Sequence, residues 1–243
     1  MGLKQQITNK PMPEHIAIIL DGNGRWAKRK NLPRHMGHKQ GAMNLQKITL
    51  EAHKLGIRVM SVYAFSTENW KRPKEEIDYL MNLPKIFEEE YKDDFTEYDI
   101  RVVFSGRRDR ISTSNIELLE RVENKTKDRN GLILNVCLDY GSQYEITEAT
   151  KNIARDIKKG KYSIEDISEQ HIASKLYTKD LPDVDLLIRT SGEIRLSNFL
   201  LWQIAYAELF FTKVPWPAFK PKHLYQAIKH YQKRNRKFGG LKE

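Results

Sequence analysis

Between residues 16 and 41 the sequence reads IAIILDGNGRWAKRKNLPRHMGHKQG, and no other stretch limits the fold as much. Five apolar residues, Ile16 to Leu20, stop at Asp21, two glycines and a basic turn. Such a run fits a buried strand, and an acid at its end falls where strands of a parallel sheet open into ligand-binding loops. Gly22 and Gly24, around Asn23, allow backbone N–H groups close to an anion, and Arg25, Lys28, Arg29, Lys30 and Arg34 supply charge for phosphate. An acid beside such a cradle repels a bare diphosphate. Asp21 therefore implies a divalent hard cation bridging it to phosphate oxygens, and Mg²⁺ is the expected cofactor. The competing reading is turn chemistry, because Asp-Gly and Asn-Gly pairs form turns and an Asp after a strand often caps the next helix. The stretch is not a dinucleotide fingerprint: the third glycine is absent and Trp26 stands where the helix should pack closely.

The remaining chain alternates strand and helix signals. Helices are expected at 37–55, closed by Gly56, and at 74–90, which Pro84 should bend or divide. Further helices are expected at 112–127, 145–158, 167–176 and 222–237, the last with a basic face. Strands are expected at 57–65, 100–104, 132–138 and 185–188, and a sixth after a short helix or turn within 197–211. The pattern predicts an α/β fold with a mainly parallel six-stranded sheet flanked by helices. No Ser, Gly or Pro-rich linker divides the 243 residues, so a single domain over 1–243 is expected, with residues 1–13 flexible. Asp21, Ser66 and Arg189 each follow a strand, so their loops should meet at one mouth.

No run approaches the roughly 20 apolar residues of a spanning helix, and the N-terminus lacks an apolar signal core. The lone Cys137 excludes an internal disulfide framework and favours a reducing, cytoplasmic setting. The net charge of +10 calls for an anionic partner but does not choose among diphosphates, nucleic acid and an anionic membrane surface. Arg189 and Arg195 flank Thr190-Ser191-Gly192, with Ser197 two residues further on. A tight turn would bring them onto one anion; pairing of the arginines with Glu193 is the alternative. His35 and His38 lack a third ligand for zinc. Met43, Leu45, Ile48, Leu80, Phe87, Leu132 and Leu134 are candidates for an apolar tunnel or for ordinary core.

Five blocks together resemble the cis-prenyltransferases, and among them the bacterial undecaprenyl diphosphate synthases. They are DGNGRWA (21–27), RHMGH (34–38), FSTENWKRP (65–73), RTSGEIRLSNFLLWQIAYAEL (189–209) and the KFGG tail (237–240). The resemblance implies that Asp21, Gly22, Asn23, Gly24, Arg25 and Arg34 hold an allylic diphosphate through Mg²⁺ and hydrogen bonds. It places Arg189, Arg195 and Ser197 on isopentenyl diphosphate. It puts His38, Ser66 and Asn69 beside the reacting centre, gives Arg72 a share of the leaving-group charge, and sets Trp26 and Trp70 against substrate, Trp70 on a closing segment. Glu208 would help hold Mg²⁺ or lie near a subunit interface, and Leu132 would limit product length. The implied reaction extends farnesyl diphosphate to a long polyprenyl diphosphate, expectedly undecaprenyl diphosphate, precursor of a cell-wall lipid carrier. A homodimer joined through 199–216, with transient membrane-surface contact and no nucleic acid, completes the expectation. No DDxxD motif of the trans enzymes occurs.

Two departures stand out: Asp139-Tyr140-Gly141-Ser142-Gln143 replaces the usual Asn-Tyr-Gly-Gly-Arg, and Ile194 stands where relatives often carry a polar side chain. The rival readings are a basic nucleic-acid-binding module and a Mg²⁺ phosphohydrolase with Asp21 as nucleophile.

Overall fold

The computed structural model describes residues 2–234, apart from the side chains of residues 83 and 86–96. Strand β1 (His15–Ile19) is buried along its whole length, and lies between β2 (Val59–Ser66) and β5 (Leu186–Arg189). Beyond them lie β4 (Ile133–Tyr140) and β3 (Arg101–Ser105) on one side and β6 (Glu208–Phe211) on the other. The order is β3-β4-β2-β1-β5-β6 and every pairing is parallel.

Helices cover both faces, which is why the central strands read as apolar runs without strict alternation. Ile16 and Ile18 join the larger core, with Met60, Val62, Leu186 and Ile188. Ala17 and Ile19 point to a second cluster with Tyr63, Cys137, Leu187 and Phe199. The helices in chain order are α1 (Leu3–Thr8), α2 (Asn23–Arg29), α3 (Arg34–Lys54), α4 (Lys74–Glu97), α5 (Thr113–Thr126), α6 (Ser142–Lys158), α7 (Glu169–Ala173) and α8 (Pro221–Tyr231). Ser112 caps α5 by accepting from the Asn115 N–H, and Gly56, at φ +76°, follows α3 as its left-handed stop.

Two expectations change and two narrow. The N-terminal segment is not loose: α1 buries Ile7 completely, and Gln232 Nε2 donates to the carbonyls of Ile7 (2.9 Å) and Pro11 (3.1 Å). Burial of one apolar side chain and a shared amide offset the entropy of ordering so short a helix. Pro84, expected to bend or divide α4, does not divide it: the helix runs unbroken over 24 residues. Of the short helix or turn expected before β6, residues 197–207 form turns, with Ser197, Asn198 and Leu200 at positive φ. Helix α8 ends at Tyr231, so Lys233 and Arg234 lie past it; Arg236, Lys237 and the KFGG block fall outside the described residues. Among the described residues no helix is long and apolar enough to cross a membrane.

Candidate active site

Because β1 lies between β2 and β5, the loops after all three open side by side, and Asp21, Ser66 and Arg189 line one cavity of about 1090 Å³. Gly22 takes φ +99°, a left-handed turn, and a Cβ there would lie 2.5 Å from Ser191 Oγ. That close approach brings the turn after β1 against the turn after β5. The Thr190 hydroxyl (2.7 Å) and the Trp216 N–H (2.9 Å) both donate to the Asp21 carbonyl, fixing the turn from two sides.

The Asp21 carboxylate receives Arg189 Nη2 on one oxygen (3.1 Å) and pairs with Arg25 Nη2 through the other (3.0 Å). Partial burial opposes its charge, but the hydrogen bonds from Arg189 and Arg25 outweigh it and hold its pKa below the usual carboxylate range. Arg189 is buried, donates Nη1 to Ser197 Oγ (2.7 Å) and to the Arg195 carbonyl, and leaves its buried Nε without a partner. Arg195 is exposed and pairs with Glu193, which also accepts from Arg25 Nη1 at 2.9 Å. The turn after β5 therefore does bring Arg189, Arg195 and Ser197 together, and Glu193 sits among them as well.

On the other side of the mouth, Ser66 and Asn69 brace each other: the Ser66 N–H donates to Asn69 Oδ1 (3.1 Å) within a reciprocal cap. Arg34, His38 and Arg72 converge on Glu76, at 3.1, 3.2 and 2.9 Å. Burial lowers the His38 pKa against the opposing pull of Glu76, so this imidazole is neutral at neutral pH. Glu76 is missing from the sequence-based expectations, since an acid in a first helical turn reads as a dipole partner. Glu68 and Asn198, also on the cavity wall and joined at 3.1 Å, were equally unmarked.

Inward of this polar rim the wall turns apolar, through Leu45, Leu80, Phe104, Val136 and Leu138. Of the tunnel candidates, Leu45 and Leu80 line the cavity. Ile48, Leu132 and Leu134 are buried in the main core, Met43 is exposed, and the Phe87 side chain lies outside the described set.

Several expected site residues lie elsewhere. Trp26 is off the cavity wall, with the Lys30 ammonium 5.3 Å from its ring centre, because its position in α2 turns it outward. Trp70 packs edge-on against Phe65 and donates Nε1 to Asp139 (2.8 Å), so it braces the 66–72 segment and does not line the cavity. Glu208 begins β6 in register with Leu186, whereas Asp21 follows the far end of β1, and its partner is Arg234 at 3.7 Å. Within one chain the parallel register keeps Glu208 away from Asp21.

The departure after β4 has a structural role. Asp139, fully buried at φ +48°, pairs with Arg110 through both its oxygens while holding Trp70. Ser142 Oγ accepts from the Leu201 N–H (3.0 Å) and the Gln143 N–H donates to Asn198 Oδ1 (2.8 Å), bracing the 197–201 turn.

Residues 19–239 match the family model described as "Putative undecaprenyl diphosphate synthase". The chain belongs to the cis-prenyltransferase family. Curated relatives of this family include isoprenyl transferases of Bacillus thuringiensis (49% identical over 239 residues, 98% of this chain and 93% of the relative) and Bacillus subtilis (47% over 238 residues, 98% and 92%). A solved cis-prenyltransferase-like structure, lavandulyl diphosphate synthase from Lavandula x intermedia in complex with dimethylallyl diphosphate, superposes with a TM-score of 0.91 at 33% identity, over 97% of this chain and all of that one. A probable undecaprenyl diphosphate synthase from Campylobacter jejuni gives 0.78 at 33% identity, over 95% of this chain and all of that one.

Proposed function

We propose that this cis-prenyltransferase condenses isopentenyl diphosphate units onto farnesyl diphosphate with cis stereochemistry, giving a long polyprenyl diphosphate, undecaprenyl diphosphate. The observation that carries this reading is one cavity with two cationic clusters at its mouth and apolar walls inside. Arg25, Arg189, Arg195 and Ser197 gather around Asp21 and Glu193 as one cluster, and Arg34 and Arg72 form the other around Glu76.

In each cycle the bond between C1 of the allylic chain and its diphosphate oxygen breaks, and the diphosphate leaves with the electron pair. The terminal alkene carbon of isopentenyl diphosphate bonds to C1, and a proton is lost to form the cis double bond. Charge develops on the departing diphosphate, so preorganised guanidiniums and backbone N–H groups of the first turn of α2 supply the stabilisation. Neutral His38, Ser66 and Asn69 stand on the same cavity wall and would assist leaving-group departure or proton removal.

The residues present fit a Mg²⁺ ion that shares its shell with substrate. Asp21 offers hard oxygens, and a carboxylate has about four lone-pair sites, of which two guanidiniums use only part. The unpartnered Nε of Arg189 likewise suits an added phosphate oxygen. Among the described residues no three His, Cys, Asp or Glu side chains gather, so Asp21 would hold the ion with phosphate oxygens and water. Once bound, the ion neutralises diphosphate charge. A homodimer formed through the 199–216 region, a cytoplasmic location and transient contact with the inner membrane surface belong to the same proposal. Exposed Tyr206, just before edge strand β6, and Leu209, within it, support the interface.

The test is incubation with farnesyl diphosphate and labelled isopentenyl diphosphate, with Mg²⁺ and then with excess chelator. Label should enter an organic-extractable product only with metal and both substrates. Phosphate release from a single diphosphate would replace this reading with hydrolysis.

A further inference from the structure

Glu76 lies in the first turn of α4, and its side chain is only 9% exposed. A carboxylate so enclosed needs charged or hydrogen-bonded partners. It has three, from two other elements: Arg34 Nε at 3.1 Å and His38 Nε2 at 3.2 Å from α3, and Arg72 Nη1 at 2.9 Å from the end of the 66–72 segment. All three partners line the cavity, and Glu76 does not. The acid therefore stands behind the groups that face the ligand. Each guanidinium carries five donors, and Glu76 takes one from each, leaving the rest of each fork for other acceptors such as a phosphate.

We propose that Glu76 is a positioning residue for the allylic diphosphate: it holds Arg34, Arg72 and His38 as one preformed array across the mouth. This inference rests on the reading given under Proposed function. It assigns Glu76 to one substrate only. Arg189, Arg195 and Ser197 are held by Asp21, Glu193 and backbone, and none of them touches Glu76. Without the carboxylate, the two guanidiniums would repel each other and the neutral imidazole would lose its partner, and Arg34, already 62% exposed, would spread into solvent.

The test is Glu76→Gln, which keeps size and one acceptor oxygen but removes the charge and turns an amide donor toward a guanidinium. The Michaelis constant for farnesyl diphosphate should rise at least tenfold, that for isopentenyl diphosphate should stay within twofold, and the thermal midpoint should stay near wild type. Glu76→Asp retains the charge, so it survives even if the fold depends on that charge, and its allylic constant should rise less than that of the Gln variant. A folded variant whose allylic constant is unchanged or lower, or in which both constants rise together with a lowered thermal midpoint, overturns the assignment. Wild-type protein in the same assay separates the two readings. No product from wild type removes the proposed function, whereas product from wild type without the substrate split removes only the role of Glu76.

Discussion

Asp21 and Gly22 show how a single turn sets both charge and geometry. Gly22 at φ +99° lets the turn press against Ser191, and that contact aims the Asp21 carboxylate at Arg189 and Arg25. Replacing Asp21 by Asn keeps the shape and removes the charge. Turnover should fall on the order of 10²-fold or more, as when one preorganised electrostatic contact is lost. Stability should fall by about 1–3 kcal/mol, because buried Arg189 loses an ionic acceptor. Steady-state kinetics and urea unfolding of the variant check both. The pH sign comes from the depressed pKa: Asp21 favours the folded state above the unfolded carboxylate pKa, and that support is lost as pH falls through its lower folded value. That Asp21, Arg189 and Ser197 would meet was readable only through the resemblance of their blocks to a family, because an acid and a glycine turn after a strand also serve turns and caps, and paired arginines also serve ion pairs. Glu76 was not readable, since its meaning depends on which residues of α3 and of the 66–72 segment the fold brings to it. Trp70 misled for the opposite reason, because an aromatic in a polar loop gives no sign that its indole N–H will seek Asp139.

At the level of elements, most strands were visible as short apolar runs, and their parallel order followed from the helices between them. Register was not visible, and together with the intervening β5 it separates Glu208 from Asp21. Also hidden was a polar row that crosses the sheet. Ser105 donates to Asn135 Oδ1 (2.8 Å), Asn135 to Ser61 Oγ (2.9 Å), and Ser61 Oγ lies 2.8 Å from His15 Nε2. His15 Nδ1 lies 2.7 Å from the Pro182 carbonyl, which can only accept, so Nδ1 carries the proton and Nε2 accepts from Ser61. The row links β3, β4, β2 and β1, with each donor satisfied by the next group. Burial pushes the His15 pKa down to about 4 against the pull of the Pro182 carbonyl and nearby Asp185 and Glu14. The neutral ring therefore belongs to the folded state. Its contribution is complete above the unfolded value of 6.5 and is lost as pH falls toward 4, amounting to roughly 3 kcal/mol. Urea midpoints of wild type and His15→Gln at pH 7 and pH 4.5 should show a steeper acid loss in wild type. Equal slopes would mean that this histidine does not titrate with unfolding.

For the whole molecule, the net charge of +10 favours anionic substrates at a mouth whose guanidiniums are held in place by internal acids. If the apolar depth behind that mouth takes up the growing chain, its wall residues should set how far a product grows. Leu80 stands on the cavity wall, so Leu80→Trp places a large ring in the path of the chain. Shorter products should accumulate while the first condensation, completed nearer the rim, proceeds at close to its normal rate. Leu132 is different: it is 1% exposed, at the head of β4, in the same core cluster as the wall residue Val102. Truncation at such a site leaves a void and costs about 2–5 kcal/mol. If that void joins the cavity, Leu132→Ala lengthens the product as well as lowering the unfolding free energy. Chain-length profiles of both variants, each measured beside its urea midpoint, separate the effects. A shorter product from Leu80→Trp and a longer one from Leu132→Ala would make the cavity the ruler of the reaction. Unchanged profiles in folded, active variants would place the limit on growth outside these walls.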